Sequence, residues 1–201
     1  MSFAEEAVSR QRPGKTAIMR AAVAVIGEVG YDAASVRDMA SRAGVSVAAL
    51  YYHFPSKADL LREFLDEAWE VSLARIDRRL RLAGDDPFAR LDSVVGTIVA
   101  GQIHDDFAKL ASNVALRDHI RLAPPERTVI EKKHGRMRMI VERVITEGKA
   151  AGEFSIDEPN VGAKAVLALT NNLSKALAAE GRSKDDVIAI VQRFSRAIVT
   201  T

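Results

Sequence analysis

Residues 35–57 read SVRDMASRAGVSVAALYYHFPSK and predict two short helices joined by a tight turn. Ser35 with Asp38 three residues later is typical of a capped helix start. The turn follows at Gly44, because glycine can adopt the left-handed conformation that ends one helix and redirects the chain. Ser46 then caps the second helix. Two helices joined in this way form a helix-turn-helix, whose second helix can enter the major groove of DNA.

The second helix, predicted over residues 47–54, divides into two faces. Leu50 and Phe54 lie four residues apart and are expected to face the core. The remaining side chains then point elsewhere: Val47, Ala48, Ala49, Tyr51 and Tyr52. Two tyrosines and His53 beside these core positions have no packing role, whereas polar-tipped side chains at a helix end suit phosphate oxygens. This pattern favours a DNA-binding helix over an ordinary helical corner.

The charge of the same region agrees with DNA binding. The whole chain has a formal net charge of only +2, but residues 10–57 contain seven Lys and Arg residues against three Asp and Glu residues. Such a local excess of positive charge is the modest electrostatic footprint that a small DNA-binding domain needs.

Residues 43–61, AGVSVAALYYHFPSKADLL, resemble the signature of the TetR-type (tetracycline-repressor-like) transcriptional regulators. The resemblance covers residues 10–62 and is one of layout only beyond them. It implies that backbone phosphates are bound by Arg37, Tyr51, His53 and Lys57. It also implies that the groove is faced by Ser46, Val47, Ala48, Ala49 and Tyr52. The second helix carries no Arg, Asn or Gln. Direct readout would then depend on apolar contact with thymine methyls, on Tyr52 and on Arg37, with a larger share of shape readout.

Composition predicts an all-α protein that is long enough for one large or two small domains. Apolar residues make up 48% of the 201 residues and aromatic residues 5%, and no alternating strand pattern is evident. The resemblance implies an N-terminal three-helix helix-turn-helix domain (1–56) and a C-terminal helical effector-binding and dimerisation domain (57–201), with about nine helices in all. The absence of cysteine fits a reducing cytoplasm, and neither a signal peptide nor a membrane-length apolar run is evident. The expected location is therefore cytoplasmic, with no membrane partner.

Helical periodicity predicts the remaining elements. A first helix over residues 14–29 has the apolar stripe Ile18, Ala22, Ile26 and Val29. A long helix over residues 57–83 is the natural lever between the domains. The last two helices, 159–179 and 183–200, have more than one apolar face, which indicates a partner as well as a core. The stripe of the last helix is Val187, Ile190, Val191, Phe194 and Ile198. In the family this helix pair forms a four-helix interface, so the resemblance implies a homodimer.

A basic run over residues 127–143 leaves two interpretations open. It is a solvated helix face with interleaved glutamates, or it is the rim of a site for an anionic effector such as an acyl-coenzyme A. The layout of the C-terminal helices also resembles TetR-type regulators of lipid catabolism. Candidate lining residues of an effector pocket are Trp69, Phe107, Met137 and Asn172, although apolar residues at helical spacing are commonly core.

The sequence predicts no catalytic site, no cofactor and no metal site. Asp105 and Asp106 beside His104 form a weak metal motif, because no other histidine has the i, i+4 spacing to His104. A pair of helix-capping acids is the favoured interpretation. The function that the sequence favours is a transcriptional repressor released from a palindromic double-stranded DNA operator by a small-molecule effector. The alternative is a helical small-molecule-binding protein without operator binding.

Overall fold

The computed structural model describes residues 14–104, 108–111 and 124–201. All regular secondary structure in these ranges is helical, which confirms the predicted all-α class. Apart from the helical residues 108–111, the helices are α1 (Lys15–Val29), α2 (Val36–Arg42), α3 (Val47–His53), α4 (Lys57–Ala83), α5 (Pro87–His104), α6 (Pro124–Ala150), α7 (Pro159–Ala179) and α8 (Lys184–Val199). Asp105, Asp106 and Phe107 lie outside the described residues.

The chain divides into two compact units between Phe64 and Leu65, inside α4. The N-terminal unit contains α1, α2, α3 and the first two turns of α4. Its fully buried side chains are Ile18, Met19, Ala22, Val23, Ile26, Met39, Leu50, Phe54, Leu60, Leu61 and Phe64. The predicted core positions Leu50 and Phe54 are thus confirmed. Val29 was expected in the stripe of α1 but is 53% exposed, because it lies in the last turn of the helix, beyond the packed part of its face.

The C-terminal unit comprises the rest of α4 and helices α5–α8. Helix α5 is central, since it packs against α6, α7 and α8. The apolar core is formed by Leu73, Ile76, Leu80, Leu91, Val94, Val95, Val99, Val141, Val144, Ile145, Val166, Val187 and Val191. A layered helical core of this kind leaves room for a cavity wherever small residues line neighbouring helices.

In the last helix pair, α7 has the predicted bounds, α8 begins and ends one residue inside the predicted 183–200, and the buried stripe of α8 differs from the predicted one. In α8 the buried positions are Val187, Val191, Ser195 and Val199, which follow one another at four-residue intervals. Phe194, predicted on the buried stripe, is 46% exposed, and Val161 on α7 is 50% exposed. Large apolar side chains therefore remain outside the core on both helices. No helix in the described ranges is long and apolar enough to cross a membrane.

Candidate nucleic-acid interface and ligand cavity

The second helix of the helix-turn-helix, α3, is held by its own cap and by two core side chains. The Ser46 hydroxyl oxygen accepts a hydrogen bond of 3.1 Å from the backbone N–H of Ala49. Leu50 and Phe54 are 3% and 2% exposed and fix the inner face of the helix. The capping prediction is confirmed, and the helix begins at Val47 as expected.

The outer face of α3 carries the tyrosines. Tyr52 is 85% exposed, Tyr51 is 46% exposed, and Val47 is 37% exposed. Ala48 is also exposed, whereas Ala49 is half-buried. Aromatic rings left in water at the surface of a short helix gain nothing for folding, so they are available to a partner.

The turn that aims α3 depends on Gly44. Its φ of +67° lies in the left-handed region, where a side chain would be strained. The N–H of Val45 donates to the carbonyl of Ala40 at 3.0 Å, and the N–H of Gly44 donates to that of Ser41 at 3.1 Å. These bonds satisfy the last carbonyls of α2, as expected of a helix that ends at a glycine.

His53 is half-buried between Tyr52 and Phe54. Its ring contacts Tyr52 edge-to-face at 5.3 Å and lies 6.2 Å from the ring of Phe54. The predicted phosphate-binding group Arg37 is exposed, at the second position of α2. The N-terminal unit thus contains all four of these polar-tipped side chains: Arg37, Tyr51, Tyr52 and His53. Their assignment to phosphates or to the groove stays a prediction.

Several Lys and Arg side chains of the N-terminal unit make ion pairs or hydrogen bonds inside this unit. Arg42 makes a bidentate pair with Glu28 at 2.7 and 2.8 Å, and this guanidinium holds the pKa of Glu28 below its usual value. Lys15 pairs with Glu63 at 2.7 Å. Lys57 donates hydrogen bonds to the carbonyl oxygens of Tyr31 and Ala34, the latter at 2.9 Å. All three contacts tie the segments of this unit together, and the two ion pairs with Glu28 and Glu63 also reduce its positive charge.

Lys57 therefore stabilises the N-terminal unit through these two hydrogen bonds. Its ammonium group also lies 4.4 Å from the centre of the Tyr31 ring, and burial lowers its pKa. An ammonium has three N–H donors, and two of them are used here. The predicted phosphate contact of Lys57 would have to use the third.

A cavity of about 510 Å³ lies inside the C-terminal unit. This volume is within the ~300–1,000 Å³ range of small-molecule sites. Trp69 and Met137, two of the predicted pocket residues, line it. The Trp69 ring packs on His134 with 4.8 Å between ring centres, so an aromatic pair forms part of the wall.

Asn172 does not line this cavity. It is exposed, and its side-chain amide donates to the carbonyl of Ala168 at 2.7 Å. The preceding residue, Asn171, lines the cavity instead. One residue rotates the side chain by about 100° around a helix of 3.6 residues per turn, which suffices to move it to another face.

A polar cluster from two helices forms one side of the cavity. Gln102 on α5 is 8% exposed, and its amide N–H donates to the side-chain oxygen of Asn171. The amide oxygen of Gln102 accepts a hydrogen bond of 2.6 Å from the hydroxyl of Ser174, which is fully buried. Sequence reasoning did not identify this cluster, since its partners lie about 70 residues apart. A buried amide held in one orientation gives the apolar cavity a specific polar group.

The basic run over residues 127–143 is largely ion-paired. Lys133 lies 3.0 Å from Asp66 and 2.9 Å from Glu70, and Arg136 lies 3.2 Å from Glu70. Burial acts to lower the pKa of Lys133, but the hydrogen bonds to Glu70 and Asp66 outweigh it, and the pKa is raised. Arg127 and Arg143 make longer contacts to Glu131 and Glu147. Arg138 is the cation of this run that lines the cavity.

No group of three or more metal-binding side chains occurs within the part of the chain that the structure describes.

The two units define a helix-turn-helix protein with an additional helical domain that contains a cavity. Residues 18–64 match the model for bacterial regulatory proteins of the tetR family, and residues 84–199, more than half of the chain, match that for the tetracyclin repressor-like C-terminal domain. The chain belongs to the TetR family of bacterial regulatory proteins.

Relatives within the family include the HTH-type transcriptional repressor KstR of Mycolicibacterium smegmatis. It is 38% identical over 98 residues, which are 49% of this chain and 48% of KstR, so the chain spans about half the length of this relative. A tetR-family regulatory protein from Rhodococcus RHA1 has a TM-score of 0.82 at 22% identity, over 92% of this chain and 96% of the other. AibR, solved with isovaleryl coenzyme A and operator DNA, has a TM-score of 0.78 at 20% identity, over 88% of this chain and 95% of AibR. Both structures support the fold over nearly the whole chain.

Proposed function

We propose that this protein is a transcriptional repressor that binds a palindromic DNA operator as a homodimer and leaves it when a small-molecule effector enters the cavity. The observation that carries this proposal is the outer face of α3, where Tyr51 and Tyr52 are exposed on a helix whose other face is locked by Leu50 and Phe54. Membership of the TetR family and the repressor KstR among its relatives support the same function. The protein would act in the bacterial cytoplasm, where its operator lies, and as a binding protein rather than an enzyme.

The recognition chemistry follows from the side chains of the exposed face. Tyr51, His53, Arg37 and the remaining donor of Lys57 would bind phosphate oxygens and set the register on the duplex. Ser46, Val47, Ala48, Ala49 and Tyr52 would face the major groove. With no Arg, Asn or Gln on α3, base discrimination would rest on thymine methyl contacts and on DNA shape.

Homodimerisation would use α7 and α8. Phe194 and Val161 are exposed apolar side chains on these helices, and burial of such groups is the main drive for association. In a two-fold dimer each subunit would place its α3 in one half-site. The half-sites would then be one helical turn, ~34 Å, or a multiple of it apart.

Effector binding would work by a shift between two conformations. A ligand that prefers the conformation with the wrong α3 spacing weakens DNA binding, and a coupling of ~1–3 kcal/mol is typical of such systems. The cavity walls combine the Trp69–His134 pair and apolar side chains with the amide of Gln102. This chemistry suits a compact, mostly apolar molecule with a carbonyl group, and AibR was solved with one acyl thioester of this kind.

The DNA-binding part is tested with the full chain. Duplexes selected from random DNA should be enriched in a palindrome, and Tyr51→Ala should weaken binding to all of them and reduce its salt dependence. Met139→Ala is the matched control, because Met139 is 56% exposed but lies in the C-terminal unit. If the chain binds no duplex at low salt while it still binds a ligand, it is a helical small-molecule-binding protein instead.

The effector part has a built-in probe. Trp69 is the single tryptophan of the chain and lines the cavity, so its fluorescence should change when the cavity fills. Gly135 also lines the cavity, and no heavy atom lies within 4 Å of the position where a side chain would start. Gly135→Leu should therefore fill part of the cavity and weaken ligand binding without loss of DNA binding. Equal ligand affinity in this variant would argue against the cavity as the effector site.

A further inference from the structure

A second depression, a groove of about 900 Å³, lies on the C-terminal unit between α4, α5 and α8. Four cations line it: Arg75, Arg78 and Arg79 on α4, and Lys184 at the start of α8. Three of these cations follow one another within five residues of one helix, so their side chains share neighbouring turns. We call this surface the arginine groove.

Much of the positive charge of the arginine groove is not cancelled by the described residues. The side chains of Arg78, Arg79 and Lys184 make no hydrogen bond or ion pair with any residue in the described ranges. Two acids line the groove, Asp92 and Asp185, and Asp92 is already paired with Arg196. The groove thus differs from the run over residues 127–143, where Lys133 and Arg136 are paired with acids of α4.

The groove and the cavity adjoin. Arg75, Thr97 and Gly101 line both of them. Gly101 has no side chain to separate the two spaces, and Thr97 turns its hydroxyl back to the carbonyl of Ser93 at 2.6 Å. The apolar, partly enclosed space and the exposed, basic one thus border each other along these three residues, so an elongated ligand could reach from one to the other.

We infer that the effector is an amphipathic molecule whose apolar part fills the cavity and whose headgroup, with more than one phosphate, lies in the arginine groove. This inference rests on the proposed function, since it names the class of effector for the same site. Arg78 and Arg79 bind the phosphates, because a guanidinium presents paired N–H donors that match phosphate oxygens. Lys184 adds a third cation from the facing helix. The basic run over residues 127–143 then serves the fold and not the headgroup.

The experiment separates the two parts of the ligand. Trp69 fluorescence and calorimetry follow titrations of the full chain, without DNA, with octanoate, coenzyme A and octanoyl-coenzyme A. We expect octanoyl-coenzyme A to bind at least tenfold more tightly than either part, with an affinity that falls as salt is raised. If octanoyl-coenzyme A binds no more tightly than octanoate, or does not bind, the inference is wrong.

Variants locate the headgroup. Arg78→Ala combined with Arg79→Ala should weaken the binding of octanoyl-coenzyme A by at least tenfold and leave the binding of octanoate unchanged. Both side chains are exposed and make no hydrogen bond or ion pair with the residues that the structure describes. Lys132→Ala combined with Arg143→Ala is the matched control, because both side chains are exposed and line neither the cavity nor the groove. It should leave the affinity for octanoyl-coenzyme A within threefold of that of the unaltered chain. The opposite result for the two pairs would place the headgroup on the basic run and overturn the assignment.

The proposed function is measured separately, through binding of the ligand-free protein to its selected duplex. If the protein binds octanoyl-coenzyme A but no DNA, the proposed repressor function is wrong and the headgroup site in the arginine groove still holds. If the protein binds DNA but the Arg78 and Arg79 substitutions do not change its affinity for octanoyl-coenzyme A, the headgroup site is wrong and the proposed repressor function still holds.

Discussion

The Nζ atom of Lys57 lies 2.9 Å from the carbonyl oxygen of Ala34 and donates a hydrogen bond to it. A second hydrogen bond reaches the carbonyl of Tyr31, whose ring also contacts the ammonium group. The first residue of α4 is thereby tied to the segment between α1 and α2. Because this segment has few helical hydrogen bonds of its own, the side chain of Lys57 helps to hold the helix-turn-helix together.

Lys57→Met is expected to destabilise the N-terminal unit. The substitution keeps the apolar stem but removes the ammonium donors, and loss of hydrogen bonds to a charged group costs about 1–3 kcal/mol. Denaturant unfolding followed by circular dichroism measures this loss. Arg37→Met is the matched control, since Arg37 is exposed, and it should weaken DNA binding with unchanged stability. Unchanged unfolding of Lys57→Met would show that these bonds contribute nothing.

Acid should weaken the contact between α4 and α6. The hydrogen bond from Lys133 and its charge, with a smaller contribution from Arg136, hold the pKa of Glu70 below its usual value. The unfolded chain therefore binds a proton on Glu70 more readily than the folded one, and this stabilisation is lost as pH falls below about 4.5 through the folded-state pKa. Glu70 is 57% exposed, so we expect less than ~1 kcal/mol.

Glu70→Gln should flatten the fall of the melting temperature between pH 6 and pH 3. Glu153→Gln controls for the loss of one negative charge, because Glu153 is exposed and has no ion pair within the described ranges. Identical pH profiles for the unaltered chain and Glu70→Gln would show that the pair with Lys133 does not support the fold.

Helix starts could be predicted from the sequence because their signals are local. Ser35, Ser46 and Ser56 each accept a hydrogen bond from the backbone N–H three residues later. The cap and its partner lie within one turn, so no tertiary information is needed. For the same reason Lys57–Ala83 and Pro159–Ala179 have the bounds that their flanking residues predict.

The cavity could be predicted only in part, because its polar side is assembled from distant residues. Gln102 meets Asn171 and Ser174 across 69 and 72 positions of the chain. Periodicity identifies an apolar face but not the neighbour that covers it, which is why Phe194 was placed in the core and Asn172 in the cavity. Likewise, the charge of Lys133 is visible in the sequence, but its partners Asp66 and Glu70 are not.

Gly148→Ala is expected to destabilise the C-terminal unit. A Cβ atom at this position would lie 2.3 Å from two ring atoms of Phe154, which is 3% exposed and packs edge-to-face on Phe88 at 5.0 Å. Overpacking of this kind costs about 1–3 kcal/mol. Gly135→Ala in the same helix is the matched control, since no heavy atom lies within 4 Å, and it should gain up to ~1 kcal/mol of helix propensity. Thermal unfolding of the two variants should therefore shift in opposite directions.

Substitutions of the two partners in the polar cluster, Ser174 and Gln102, are expected to lower the stability of the fold by different amounts. Ser174→Ala leaves the buried amide oxygen of Gln102 without its donor, which costs about 1–3 kcal/mol. Gln102→Met has a smaller expected cost, because the single proton of the Ser174 hydroxyl can then go to the carbonyl of Thr170, 2.6 Å away, and the half-buried Asn171 can bond to water. In the double variant the orphaned oxygen is absent, so its loss should be smaller than the sum of the single losses by ~0.5–1.5 kcal/mol. Denaturant unfolding of all four chains measures this coupling, and strictly additive losses would mean that the contact between Gln102 and Ser174 does not stabilise the fold.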